Sequence, residues 1–241
     1  MRLFLRVLAI GLGAIVLVAS AGGFWIFFYS RDLPDTKGLA EFAPAQVTHV
    51  SDPCLLAASV AIPYESIGNH LQAALRAAEA GEDGPGVLTR ELRGLNYQVK
   101  PHSATPSLQI ARSMVCTPSR TLNRELMELR IAVQLERSYS RRELFTIFAN
   151  RAWFGDGQVG VEDASQHFFH KEPEQLEVAE AALLAGLIRA PAYFSPFTHP
   201  DRALQRRNEV ISAMVDAHAI TVGDGEAAKA TILGVEARSS R

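Results

Sequence analysis

Residues 120–155 read RTLNRELMELRIAVQLERSYSRRELFTIFANRAWFG. The stretch predicts a helix, a break near Tyr139-Ser140 and a second helix ending near Asn150. Leu122, Leu126, Leu129 and Val133 recur at helical spacing and make one apolar stripe. Arg124 and Glu128 are four apart, one above the other on a neighbouring face, and Ala132 and Leu135 continue that face. A carboxylate whose face turns apolar below it is expected to be half buried, with Arg124 as its natural partner. The same spacing also fits a surface ion pair worth roughly a few tenths of a kcal/mol.

Downstream, GDGQVG (Gly155 to Gly160) reads as a glycine-rich turn, too short and too badly spaced for a phosphate loop. Val161–Phe169 and Leu176–Ile188 read as helices; the second contains AEAALLAGLI and belongs at the centre of a core. Arg189–Pro200 carries three prolines and reads as a loop, and Asp201–Ala219 as a final amphipathic helix. From Val222 on, little pattern is visible.

Upstream, Pro106–Cys116 can form a helix, since proline suits a first turn. Leu88–Leu95 reads as a short helix, Asn96–Thr105 as irregular and Ala80–Val87 as a loop. Ser51–Ala80 reads as two helical pieces broken at Ile62-Pro63, the second striped by Ile67, Leu71, Ala74 and Leu75. There is no internal repeat and almost no period-two alternation, so a mainly helical domain is expected over residues 49–221, followed by a tail, 222–241.

The chain has 241 residues and is 48% hydrophobic, with the excess at its start. No charge occurs from Val7 to Tyr29, a stretch that as a helix spans about 35 Å against a bilayer core of about 30 Å. Residues 7–29 therefore read as a transmembrane helix. Arg2 and Arg6, in the 1–6 segment, keep the N-terminus cytoplasmic, while Trp25 and Tyr29 suit the far interface. A cleaved signal peptide, with Ala19-Ser20-Ala21 as its processing site, competes with this reading. The anchor is preferred because Phe24-Trp25-Ile26-Phe27-Phe28 carries the apolar run past that site. Either way the main domain lies outside the cytoplasm, in the periplasm or its equivalent, behind a linker at 30–48 with Pro34, Gly38 and Pro44.

Beyond the anchor, 22 Lys+Arg (24 less Arg2 and Arg6) face 26 Asp+Glu, a net charge of −4 that argues against nucleic-acid binding. Cys54 and Cys116 either pair in an oxidising compartment or stay as buried thiols. His167 and His170 lie near Glu162 and Asp163, where solvated surface groups are preferred to a metal site.

In order, the segments RELMELRIAVQLERSYSRRELFTIFANRAWFGDGQVGVEDASQHFFHK, LEVAEAALLAGLIRAPAYFSP and HPDRALQRRNEVISAM resemble the peptidoglycan glycosyltransferase family. That family comprises the polymerase domain of class A penicillin-binding proteins and the monofunctional transglycosylases. AIPYESIGNHLQAALRAAEA resembles the approach to the family's first catalytic glutamate. S-x-x-K and K-T-G are absent, so the chain looks like the monofunctional kind.

The resemblance implies a lysozyme-like, two-lobed helical domain. It also implies polymerisation of lipid II onto a growing glycan strand, with inversion and release of lipid pyrophosphate. A general base must take the acceptor proton, and positive charge or a divalent metal (magnesium or manganese, not required by the sequence) must stabilise the leaving group. The bilayer and a cell-wall synthase or division complex are the implied partners. A non-catalytic relative that binds lipid-linked glycan or such a synthase is the alternative, and a hydrolase is a third reading.

By that resemblance Glu79 takes the base position of E-D-x-x-F-x-x-H, with Glu82 as fallback; Ala80 replaces the Asp, and the Phe and His have no counterpart. HSATPSLQIAR matches G-G-S-T-I-T-Q-Q plus a basic residue at Thr105, Ser107, Gln109 and Arg112, implying substrate binding by these four. In R-K-x-x-E, Arg124 and Glu128 match as a substrate-binding and a catalytic residue, and Glu125 reverses the lysine's charge. That reversal should repel a pyrophosphate by on the order of 1 kcal/mol. Arg137, Arg141 and Arg142 match structural positions, and Glu180 reads as a packing residue paired with a buried arginine.

Overall fold

The computed structural model describes residues 60–79, 105–114 and 122–235, all within one compact unit. The expected membrane helix at 7–29, its flanks, both cysteines, Glu82 and the stretch from Ala80 to Ala104 lie outside the described residues. Among the described residues no helix is long and apolar enough to cross a membrane.

The described elements are almost all helical. A 3-10 turn, Tyr64–Ile67, leads into α1 (Asn69–Glu79). Then come α2 (Pro106–Met114), α3 (Leu122–Ser138) and α4 (Arg141–Arg151). A small antiparallel hairpin, β1 (Trp153–Gly155) and β2 (Gln158–Val159), precedes α5 (Val161–Phe169). A second 3-10 turn, Pro173–Gln175, is followed by α6 (Val178–Leu187), α7 (Pro200–Asp216) and α8 (Val222–Ala230).

The α3–α4 break has a local cause. Ser140 caps α4 by accepting from the Glu143 N–H, and the Glu143 side chain accepts from the Ser140 N–H. That backbone donor, with the Ser140 hydroxyl, holds the Glu143 carboxyl below its ordinary pKa.

α6 forms the centre of the core. Ala179 and every residue from Ala181 to Leu187 are buried, and a helix apolar on all sides has to be enclosed. α7 and α1 pack on it most extensively, and α1 contributes Leu71, Ala74 and Leu75. A Cβ on Gly186 would meet the Arg206 side chain at 3.0 Å, so the missing side chain lets α7 come close. Gly68, with φ +77, lets the chain before α1 pass the second 3-10 turn; a Cβ there would sit 2.5 Å from the Pro173 carbonyl oxygen.

Several expectations change. The buried face of α3 is Glu128, Ile131, Ala132 and Leu135, while Leu126, Leu129 and Val133 are only half buried. α2 reaches the former face at Glu128, so among the described residues the apolar stripe is the less covered side. GDGQVG is the tip and return strand of a hairpin, not a bare turn. The segment after Val222 is helical. Its capping box is Thr221–Asp224, and the fully buried Arg207 donates to the carbonyls of Lys229, Thr231 and Ile232 at its far end. Such a helix carries no strong periodicity because its buried face is small: Gly225 and Ala228.

Glu180 pairs with Lys171, at 2.7 and 2.9 Å, and not with an arginine. His167 bonds Asp156 at the hairpin tip and lies edge-on to Phe168 and Phe197, so it is largely enclosed and not a solvated surface group.

Candidate active site

α2 packs along α3, and the contact brings two of the sequence motifs together. Glu128 is 6% exposed. Arg124, one turn earlier on the same helix, donates through Nε to Glu128 Oε1 at 2.6 Å. Arg112, on α2, donates through Nε to Glu128 Oε2 at 3.4 Å. The carboxylate is thus held from both sides by guanidinium groups, deeper than the half burial its face predicts.

The two arginines differ. The Arg124 contact has the length of a strong charge-assisted hydrogen bond, and its side chain is 22% exposed. The Arg112 contact is long for such a bond, and its side chain is 52% exposed. Across these two contacts one carboxylate meets two cations, an excess of positive charge. Glu125 stands exposed in the first turn of α3 and opposes that excess.

The other expected substrate contacts lie on the same helix. Gln109 is half buried on α2. The hydroxyls of Thr105 and Ser107 are engaged within the protein. Thr105 caps α2 by accepting from the Leu108 N–H at 3.3 Å, and its Oγ1 lies 2.8 Å from Ser107 Oγ. Ser107 donates to Glu136 Oε1 on α3 at 2.7 Å. Glu136 escaped the sequence reading, although it is eight residues after Glu128 and so on the same line of the helix.

Glu79 is the last residue of α1, a helix fixed in the core against α6 and α7. Its side chain lies outside the described atoms, so the expected meeting of Glu79 with Glu128 does too.

Asn150 is a second residue whose task needed the structure. Buried at the end of α4, it accepts from the Ile62 N–H at 3.0 Å and donates to the Ile62 carbonyl at 2.8 Å. It thereby ties the chain leading into α1 to the helix that follows α3. A separate groove of about 860 Å3, lined in part by His70, Glu177, His218 and Asp224, contains none of the Arg112, Arg124 and Glu128 cluster.

The sequence matches the family described as Transglycosylase over residues 58–215. It is similar to penicillin-binding protein 1A of Aquifex aeolicus, 34% identical over 90% of this chain and 32% of that protein. A Cupriavidus necator protein provisionally named a transglycosylase is 29% identical over 93% of this chain and 92% of its own length. Penicillin-binding protein 1A of Haemophilus influenzae, a solved structure, is 25% identical over 55% of this chain and 16% of that one, with a TM-score of 0.36 that carries no argument about the fold. The chain thus spans about a third of the Aquifex relative. With more than half of its residues matched, the chain belongs to the transglycosylase family, the peptidoglycan glycosyltransferase domain family.

Proposed function

We propose that this protein is a membrane-anchored glycosyltransferase that polymerises lipid II into glycan strands and releases lipid pyrophosphate. The observation that carries the reading is the convergence of Arg112 and Arg124 on the buried Glu128. A departing pyrophosphate needs positive charge that is in place before the bond breaks. Guanidinium groups suit phosphate oxygens, and a buried carboxylate between them fixes their positions. Arg112, more exposed and more loosely held, meets the donor phosphates first; Arg124 stays with Glu128.

The sugar hydroxyl of the acceptor attacks the anomeric carbon of the growing chain. Glu79 takes the hydroxyl proton, the bond to the lipid pyrophosphate breaks with its electrons, and the configuration inverts. Glu128 assists on the leaving-group side, and Gln109 contacts the substrate from the same helix as Arg112. Thr105 and Ser107 support that site from behind, by holding α2. Among the described residues no group of three or more His, Cys, Asp or Glu is placed to hold a metal, and both Glu128 oxygens face arginines. A divalent metal, magnesium or manganese, would add positive charge at the departing pyrophosphate.

Residues 7–29 anchor the chain in the inner membrane with its N-terminus inside, placing the domain where the lipid-linked substrate presents its sugars. A cell-wall synthase or division complex is the protein partner this location suggests.

Full-length protein in detergent, given lipid II, should release lipid pyrophosphate and form glycan strands, and Glu79→Gln should lower the rate by about 10²–10⁴-fold. Strands formed at an unchanged rate by Glu79→Gln would remove Glu79 as the base. Binding of lipid II with no product would favour a non-catalytic, glycan-binding relative; the missing first-motif Asp, Phe and His and the reversed charge at Glu125 are the features that support that reading.

A further inference from the structure

On α3, Glu128, Ala132 and Glu136 follow one another at four-residue spacing, on one line about 12 Å long from first to last. α2 is fastened to both ends of that line. Arg112 reaches Glu128, and Ser107, five residues earlier on α2, donates to Glu136. The pairing runs one helix against the other, so the two are antiparallel. Ala111 and Ala132, both fully buried, lie between the two fastenings, where small side chains allow close approach.

The Glu136 end is a directed chain of hydrogen bonds. A serine has one O–H, and Ser107 gives it to the Glu136 carboxylate. The 2.8 Å contact between Thr105 and Ser107 must then use the Thr105 O–H as donor. Thr105 Oγ1 in turn accepts from the Leu108 N–H. Every hydrogen points the same way, from the first turn of α2 to Glu136, an arrangement in which each bond strengthens the next.

We infer that Glu136 is a positioning residue: acting through Ser107, it fixes where α2 sits along α3 and so where Arg112 is delivered beside Glu128. Glu136 needs no contact with substrate for this. It has to accept a hydrogen bond, which a glutamine carbonyl also does. The kinetic part of the inference rests on the proposed role of Arg112 at the donor phosphates; the structural part does not.

The test compares Ser107→Ala, Glu136→Leu and Glu136→Gln in the full-length protein in detergent. Hydrogen exchange of the Leu108 amide should speed up about tenfold or more in Ser107→Ala and Glu136→Leu, and stay near wild type in Glu136→Gln. In lipid II polymerisation the first two should raise KM about tenfold with kcat little changed, and Glu136→Gln should restore it. Added to Arg112→Ala, Ser107→Ala should change KM by less than about twofold, because its effect already passes through that arginine.

Unchanged Leu108 exchange in Ser107→Ala, which removes a single hydroxyl, overturns the inference. So does a Glu136→Gln variant that behaves like Glu136→Leu, since that would make the charge and not the hydrogen bond the essential feature. Should wild type make no polymer, the polymerase reading fails while the exchange comparison still decides this one.

Discussion

Arg112 Nε lies 3.4 Å from Glu128 Oε2, a contact made across two helices by residues sixteen apart in sequence. Arg124 closes on the other oxygen of the same carboxylate at 2.6 Å, from within the helix. The two arginines should therefore fail differently.

Arg124→Ala takes from a buried carboxylate its close partner and should cost about 2–3 kcal/mol of stability. Arg112→Ala removes a half-exposed arginine at a longer distance and should cost about 1 kcal/mol or less. For function the order reverses in kind: Arg112→Ala should keep the fold and weaken inorganic pyrophosphate binding about tenfold or more. Urea unfolding and pyrophosphate titration of each variant separate these outcomes; equal stability losses would mean that the two contacts are equivalent.

Glu125 is exposed in the first turn of α3 and adds a negative charge beside the cluster. Glu125→Lys should tighten pyrophosphate binding by about fivefold or more at low salt. Because the site is open to solvent, the gain should shrink as ionic strength rises and the Debye length falls to about 3 Å at 1 M. A gain independent of salt would point to a direct contact instead of a field effect.

Asn150 satisfies both backbone groups of Ile62 with one side chain. Asn150→Leu leaves a partly buried N–H and C=O without those partners and should lower stability by about 2–4 kcal/mol. Asn150→Asp keeps the acceptor, loses the donor, and should fall between. Denaturation midpoints of the three proteins test that order, and an aspartate variant worse than leucine would refute it.

Burial, followed by the Glu172 carboxylate, raises the Glu162 pKa, with Asp163 adding to the effect. A carboxyl whose folded pKa lies above its unfolded value contributes stability at low pH and loses it as pH rises through the folded pKa. Glu162→Gln removes the charge, so it should melt slightly above wild type near pH 7. The difference should vanish below the ordinary carboxyl range, where wild type is protonated in both states. Calorimetry at pH 7 and pH 3.5 reads both limits, and a variant less stable than wild type at pH 7 would contradict the assignment.

Much of the fold is legible locally. The break at Ser140 is a capping box within four residues, and the enclosure of α6 follows from its unbroken run of alanine and leucine. The side of α3 that is covered was legible only in part: the Glu128, Ala132 and Leu135 face reads as half buried, and in the fold it is fully enclosed. Leu126, Leu129 and Val133 have the better apolar spacing, yet Glu128, Ala132 and Leu135 are the buried residues. Periodicity tells which residues share a face; it does not tell which face a neighbouring helix takes. α8 shows no signal beyond its cap because its buried face is only Gly225 and Ala228, and the partner of Glu180 is a lysine supplied by the loop after α5.

The sequence by itself determined helices α1 to α7, the break at Ser140 and the Arg124–Glu128 pair, because a four-residue spacing on one helix leaves those side chains in reach of each other wherever the helix is placed. Only the tertiary structure decided that Arg112 shares the same carboxylate and that Ser107 answers to Glu136. Those contacts depend on how far α2 slides along α3, and that is set by packing between segments distant in the chain, not by the pattern within either one.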